Sequence, residues 1–214
     1  MGCWGITAFE SDAGLDAVGM FREHLSEDGR LELEHLIEAL QKDDWNAPPD
    51  VRDGQPHTSA MALAEMIVKF LDQDMGGLDY DEDWAAQDRK FSTVTSFSAS
   101  KESIRWLHGY ISDTLRHARK NAAQGHHWGG WFKKEDWLRW QKHMEELAGR
   151  LDVLLAAPEN RVQLIPPLEQ KRKFSEGGSR LEDVNAARQR ISEVQYEKGN
   201  EPSGPTAGLK LGQT

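Results

Sequence analysis

Carboxylates and imidazoles fall at two places in this chain where they could hold a metal ion. Asp12 and Asp16 stand four residues apart, on one face of any helix that contains both, and Glu10 lies just ahead of them. His126 and His127 are adjacent, and His143 could supply a third nitrogen if the segment between folds back. Oxygen ligands suit a hard cation and imidazoles suit zinc, and either ion would activate a water for hydrolysis. The spacing argues against both: neighbouring histidines seldom reach one metal together, and no His-x-x-x-His pair is present to share a helix face. For the acids a helix start is the simpler account, with Ser11 or Asp12 as its cap and Asp16 favoured near its positive end.

Two further groups carry chemistry only on paper. Asp72 to Asp83 has Asp at the first and third positions of a calcium loop and Gly at the sixth. Position five is Gly76, however, position eight is the acidic Asp79, and position twelve is Asp83 instead of Glu. It is read as a solvated acidic loop. Cys3 is the single cysteine, so one chain can form neither a disulfide nor a cysteine-based zinc site, and as a nucleophile Cys3 would need a base from elsewhere. No cofactor motif and no catalytic constellation is recognisable, so a non-enzyme is the favoured reading.

Binding has better candidates. His126, His127, Trp128, Trp131 and Phe132 are set among glycines between two helical segments. Tryptophan is over-represented as an interface anchor, which makes these residues a candidate partner-binding patch; the competing reading is that the aromatic rings pack over helix ends.

Composition narrows the classes. With 38% hydrophobic and 29% charged residues, the 214-residue chain reads as soluble and globular, and a net charge of -10 argues against nucleic acid, which needs clustered cations. No stretch approaches the eighteen apolar residues of a membrane span, and Glu10, Asp12 and Asp16 interrupt the opening where a secretory signal would be apolar. The expected location is cytoplasmic, with no membrane partner.

The opening, Met-Gly-Cys-Trp-Gly-Ile-Thr-Ala-Phe-Glu-Ser-Asp, resembles a bacterial family of small proteins of unknown function that begin Met-Gly-x-Trp-Gly-x-x-x-Phe-x-x-Asp. The matching positions are Gly2, Trp4, Gly5, Phe9, Asp12 and Asp16, with Ser11 where the family often has Asn. The resemblance implies a mostly helical body and no reaction, cofactor or partner. Read physically, Trp4 and Phe9 are expected to be largely buried, as a staple that holds the N-terminus to the body.

The elements that must position these groups are helical. Leu15, Val18, Phe21 and Leu25 predict a helix over about 12–24, and Leu33, Leu36, Ile37 and Leu40 a second, with a strand start at Leu31 as the competing reading. Residues 59–71 are apolar almost all round, with only Glu65 and Lys69 charged, and should form the most buried helix. Ile104, Leu107, Ile111, Leu115 and Ala118 mark a helix over about 101–121 whose outer face, with Arg105, Arg116, Arg119 and Lys120, is the most basic in the chain. From Trp137, the series Trp140, Met144, Leu147, Leu151 and Leu154 keeps one seam on one face of a long helix expected to pack on 59–71 and 101–121. A coiled-coil dimer through that seam is the rival, and the monomer is favoured because tryptophan fits knobs-into-holes packing poorly.

Residues 91–97 are β-prone and could pair with 161–165 in a minor element, an extended loop being the stronger expectation. The expected organisation is a mainly α domain of about five helices over 1–157, a polar linker over 158–178, a peripheral amphipathic helix over 179–197 and a disordered tail over 198–214. The functional expectation is a non-enzymatic protein-binding module, immunity or antitoxin-like. The alternative is a metal-dependent hydrolase built from Asp12, Asp16, His126, His127 and His143.

Overall fold

A computed structural model describes residues 2–53, 58–74, 78–79, 90–126 and 134–165. The chain divides into two units, Met1–Leu168 and Glu169–Thr214, and every described residue belongs to the first. The expected peripheral helix and tail therefore lie outside the described residues.

Among the described residues the fold is mainly α: helices α1 (Asp12–Glu23), α2 (Leu33–Lys42), α3 (Thr58–Asp72), α4 (Lys101–Ala123) and α5 (Trp137–Ala156) surround one core beside a small sheet. No helix among them is long and apolar enough to cross a membrane. α3 is buried nearly throughout, from Thr58 to Ile67 and again at Phe70, as its apolar composition requires. The α5 seam faces inward at Trp140, Met144, Leu147, Leu151 and Leu154, while Trp137 at its start is half-buried and stacks on Trp140 with ring centroids 5.5 Å apart. α5 lies along α4 and also touches α3, the two helices expected to cover it. All five apolar positions named on α4 are buried. The seam is thus used within one chain.

The sheet is larger than the sequence pattern suggests. Strands β1 (Arg30–Glu32), β2 (Ser96–Ser100) and β3 (Arg161–Ile165) lie in the order β1-β2-β3, β1 parallel to β2 and β3 antiparallel to it. Leu31 aligns with Phe97, and Phe97 with Ile165. The helix preferred at Leu31 is corrected here, since Arg30–Glu32 is extended and the helix begins at Leu33. Residues 91–97 are likewise not one strand. The Asp79 carboxylate accepts the backbone N–H groups of Phe91 (2.6 Å) and Ser92 (2.9 Å), which fixes Phe91–Thr93 as a 3-10 turn and delays the strand to Ser96. Phe91 and Phe97 both remain buried, edge-on to Phe70 at 6.2 and 5.1 Å. β3 also carries the body past residue 157, so the first part of the expected linker is a strand.

Polar side chains join the sheet to the helices. Glu34 of α2 accepts the Ser100 backbone N–H (3.0 Å) and an Arg161 N–H (2.9 Å), and the Ser100 hydroxyl accepts from Ser103 N at the start of α4. Buried Arg22 of α1 donates to the Leu78 carbonyl (2.9 Å), next to the Asp79 that shapes the turn at Phe91.

Leu147 is 3% exposed and central to the α5 seam. Leu147→Ala is expected to lower stability by about 2–5 kcal/mol, the transfer loss plus the cavity, as measured by urea denaturation.

Candidate functional site

The N-terminal loop is a closed structure built almost wholly from hydrogen bonds. Trp4 N donates to Glu10 O (3.0 Å) and Asp12 N to Gly2 O (3.1 Å), which brings Cys3 opposite Ser11 as an antiparallel bridge. The Gly2 N–H group donates in turn to the Asp12 carboxylate (2.5 Å). Inside the loop Glu10 folds back and accepts from Ile6 N (2.9 Å), Thr7 N (3.0 Å) and the Thr7 hydroxyl (3.0 Å). A Cβ on Gly5 would lie 2.0 Å from that carboxylate, so only glycine leaves room for the fold-back. Gly14 of α1 is tighter still, since a Cβ there would meet the Ala8 carbonyl oxygen at 1.8 Å. Ser11 caps α1 by accepting from Gly14 N (3.1 Å), so Asp12 is the first helical residue and its carboxylate is used on Gly2.

The loop is fastened to the body by one buried carboxylate. Glu65, 5% exposed on α3, accepts the Ala8 backbone N–H (2.9 Å to Oε1, 3.1 Å to Oε2) and the Phe9 N–H (3.4 Å). His143 of α5 donates through Nε2 to Glu65 Oε1 at 2.6 Å. A buried carboxylate thus has donors from two other elements, the condition under which burying a charge is tolerated. Phe9 is half-buried with the Lys69 ammonium 5.4 Å from its ring centroid.

Trp4 is the correction. It was expected inside and is 61% exposed, because the backbone bonds around it already hold the loop and the aromatic contact with the body is made by Phe9.

Few of the candidate ligands come together. Asp16 is exposed on α1, Asp12 serves the loop, His143 serves Glu65, and His126 is exposed beyond the end of α4. Among the described residues no three His, Cys, Asp or Glu side chains are placed to hold a metal ion. His127, Trp128, Trp131 and Phe132 lie outside the described residues. In the acidic loop, Asp72 pairs with Arg150 and Asp74 with Lys69, while Asp79 is the turn-former described above. Cys3 is not activated: partial burial pushes its thiol up, and Glu10, Asp136 and Asp12 add to that, whereas a nucleophile needs the thiolate favoured.

The loop over 43–53 meets the outer face of α4, a contact that the sequence pattern does not show. Asp43 accepts from Trp45 N and Asn46 N, turning the chain after α2 and leaving Trp45 94% exposed. Pro49 is held to α4 by the Tyr110 hydroxyl, which donates to its carbonyl (2.6 Å). Between them runs an open groove of about 590 Å³, lined by Pro49, Arg52, Arg105, Trp106, Tyr110 and Arg116 among others. The available signal was the basic face of α4, but the approach of Pro49 depends on a long-range contact that periodicity cannot reveal.

No family model, curated protein or solved structure matches the chain.

Glu65→Ala removes the acceptor of two loop N–H groups and one imidazole and is expected to destabilise the fold by about 3–5 kcal/mol, as breaking buried charged pairs does. In a double-mutant cycle with His143→Ala, chemical denaturation should give a coupling energy of about 0.5–3 kcal/mol. Glu10 supplies a pH signature. Its carboxyl is held below the ordinary glutamate value, chiefly by the Thr7 backbone N–H. A depressed folded value contributes stability that is present above the unfolded pKa, about 4.3, and lost as pH falls through the folded one. The melting temperature should therefore fall less steeply on acidification in Glu10→Gln than in the wild type.

Proposed function

We propose that this chain is a non-enzymatic protein-binding module, immunity or antitoxin-like, whose N-terminal loop presents Trp4 to a partner. The observation that carries this reading is a large aromatic side chain held 61% exposed by a loop fixed at both ends and in the middle. Ordering entropy is a principal cost of association, and a loop already fixed by its own hydrogen bonds loses less of it. Tryptophan is among the residues that most often dominate interface energy. The net charge of -10 suits a partner with a basic surface, which it would draw in at long range. On this reading the opening that resembles a bacterial family of small proteins is a display device: Gly2, Gly5, Phe9 and Asp12 shape and fasten it, and Trp4 is what it displays. The metal-dependent hydrolase has less support, because Asp12 and His143 are engaged with Gly2 and Glu65. Trp128, Trp131 and Phe132 are the other candidates for contact with a partner.

Trp4→Ala tests the reading. Exposed substitutions usually change stability by less than about 0.5 kcal/mol, so the melting temperature should stay near wild type while capture of the partner from a lysate of the source organism is lost. A melting temperature that drops by many degrees would make Trp4 a structural residue. Retained capture by Trp4→Ala, with loss in a Trp128→Ala, Trp131→Ala double variant, would move the interface to the other tryptophans.

A further inference from the structure

The contact between Glu65 and His143 fastens the N-terminal loop, and its charge can change without any rearrangement. Among the described residues the imidazole is the one ion-pair partner of the buried carboxylate, at 2.6 Å. Oε1 accepts from His143 Nε2 and from the Ala8 N–H together, and Oε2 accepts from Ala8 and Phe9. Every donor on the loop side is a neutral backbone group. The Nε2 edge of the ring is turned inward, while the side chain is 17% exposed and no described residue bonds to Nδ1, which is not enclosed. The ring can therefore take a proton from water at Nδ1 and keep its hydrogen bond to Glu65. The other charged groups on the elements packed here have partners of their own. On α3, Lys69 pairs with Asp74 and lies over Phe9. On α5, Arg139 pairs with Asp136, Lys142 with Glu146, and Glu145 with Arg119 of α4. In the loop, Glu10 is folded onto Thr7.

We infer that Glu65 and His143 form a proton-operated clasp, which holds the N-terminal loop firmly while the imidazole is protonated and loosely when it is neutral. A neutral ring leaves the carboxylate charge surrounded by dipoles alone, an arrangement that costs free energy and that opening of the loop relieves by admitting water. A protonated ring answers the charge directly. With the loop closed the pair is shielded from water, where opposite charges attract more strongly than in an opened, hydrated site. The imidazolium is spared full burial because its Nδ1 edge stays in contact with solvent, so the attraction is not cancelled by stripping water from both partners. Closing and protonation therefore favour each other. The sign follows: the extra hold is present at pH below the titration of the imidazole and is lost as pH rises through it. Glu10, the acid folded inside the loop, does not mimic this behaviour, since its carboxyl is held below the ordinary glutamate value and stays charged where imidazoles titrate. The inference concerns the hold on the loop and does not rest on what Trp4 meets.

Amide hydrogen exchange followed by NMR on the full chain tests it, with the Ala8 and Phe9 N–H groups reporting on the loop and the His143 ring reporting on the proton. Once the intrinsic pH dependence of exchange is divided out, protection of both amides is expected to fall by about tenfold as pH rises from about 5 to 8, the difference between a charged and a neutral donor on one acceptor. The fall should share its midpoint with the His143 ring signals. His143→Gln keeps an N–H donor for Glu65 but takes up no proton, so its Ala8 and Phe9 protection should be independent of pH over the same range. If that variant fails to fold, the shared midpoint in the wild-type chain still decides. Protection that is flat or rises with pH, a loop midpoint that differs from that of the ring, or an undiminished pH dependence in His143→Gln would each overturn the inference.

Discussion

The Glu65 carboxylate is the constraint on which the arrangement of this protein depends. α3 is apolar almost all round and lies at the centre of the core, so a charge on it must be answered or it would cost several kcal/mol. The answers come from far away in sequence: the Ala8 and Phe9 N–H groups from the N-terminal loop and His143 from α5. One side chain therefore fixes where the loop sits, how it is oriented, and which turn of α5 faces α3. Hydrogen bonds to a charged group are worth about 1.5–3 kcal/mol each, so together they are comparable with the penalty for burying the acid. Apolar packing alone would tolerate small slips of loop against helix; a carboxylate with three donors does not.

The loop that Glu65 holds is small, and its parts are interdependent. Gly5 is needed because Glu10 folds over it, Glu10 is needed because Ile6 and Thr7 would otherwise have unanswered N–H groups, and Gly14 is needed because Ala8 presses on α1. Asp12 closes the circle on Gly2. None of these requirements involves the Trp4 side chain. A residue with so large an apolar surface is normally the first to be buried, yet here every contact that would bury it is made by something else. That separation between what holds the loop and what the loop exposes distinguishes it from an ordinary terminal staple.

The helices were legible, whereas of the sheet only the pairing of 161–165 with the segment near Phe97 was, and its third strand and register were not, for a physical reason. A seam such as Trp140, Met144, Leu147, Leu151 and Leu154 is a local pattern set by the helix's own period, so its face can be read without knowing its partner. β1 is three residues long and exists because Leu31 lies beside Phe97; β2 begins at Ser96 because Asp79 has bent Phe91–Thr93 into a turn. Both depend on residues far away in the chain. The candidate site was half-legible in the same sense. The Gly, Trp, Phe and Asp positions of the opening stood out by type and spacing, but Trp4 was placed inside on the strength of its chemistry. Glu65 and Lys69 stood out as the only charges on an apolar helix, and Glu65 could have been marked as a residue in need of a buried partner. Nothing local pointed to His143 as that partner.

Charge on this molecule is distributed with two signs, and the distribution constrains recognition more than the total does. The net charge of -10 is spread over the whole chain, while the outer face of α4 carries Arg105, Arg116 and Arg119, with Arg52 brought alongside by the contact of Pro49 with Tyr110. Arg119 is engaged by Gln141 and Glu145 of α5, and Arg52 and Arg116 by neighbouring aspartates. These pairs are exposed and contribute little to stability. Their effect is to set opposite charges beside most of the guanidinium groups on this face. A face whose cations are largely answered in this way does not track a polyanion as a strongly basic strip would. The acidic whole acts at a distance and these local pairs only at contact, since the screening length at physiological salt is about 8 Å.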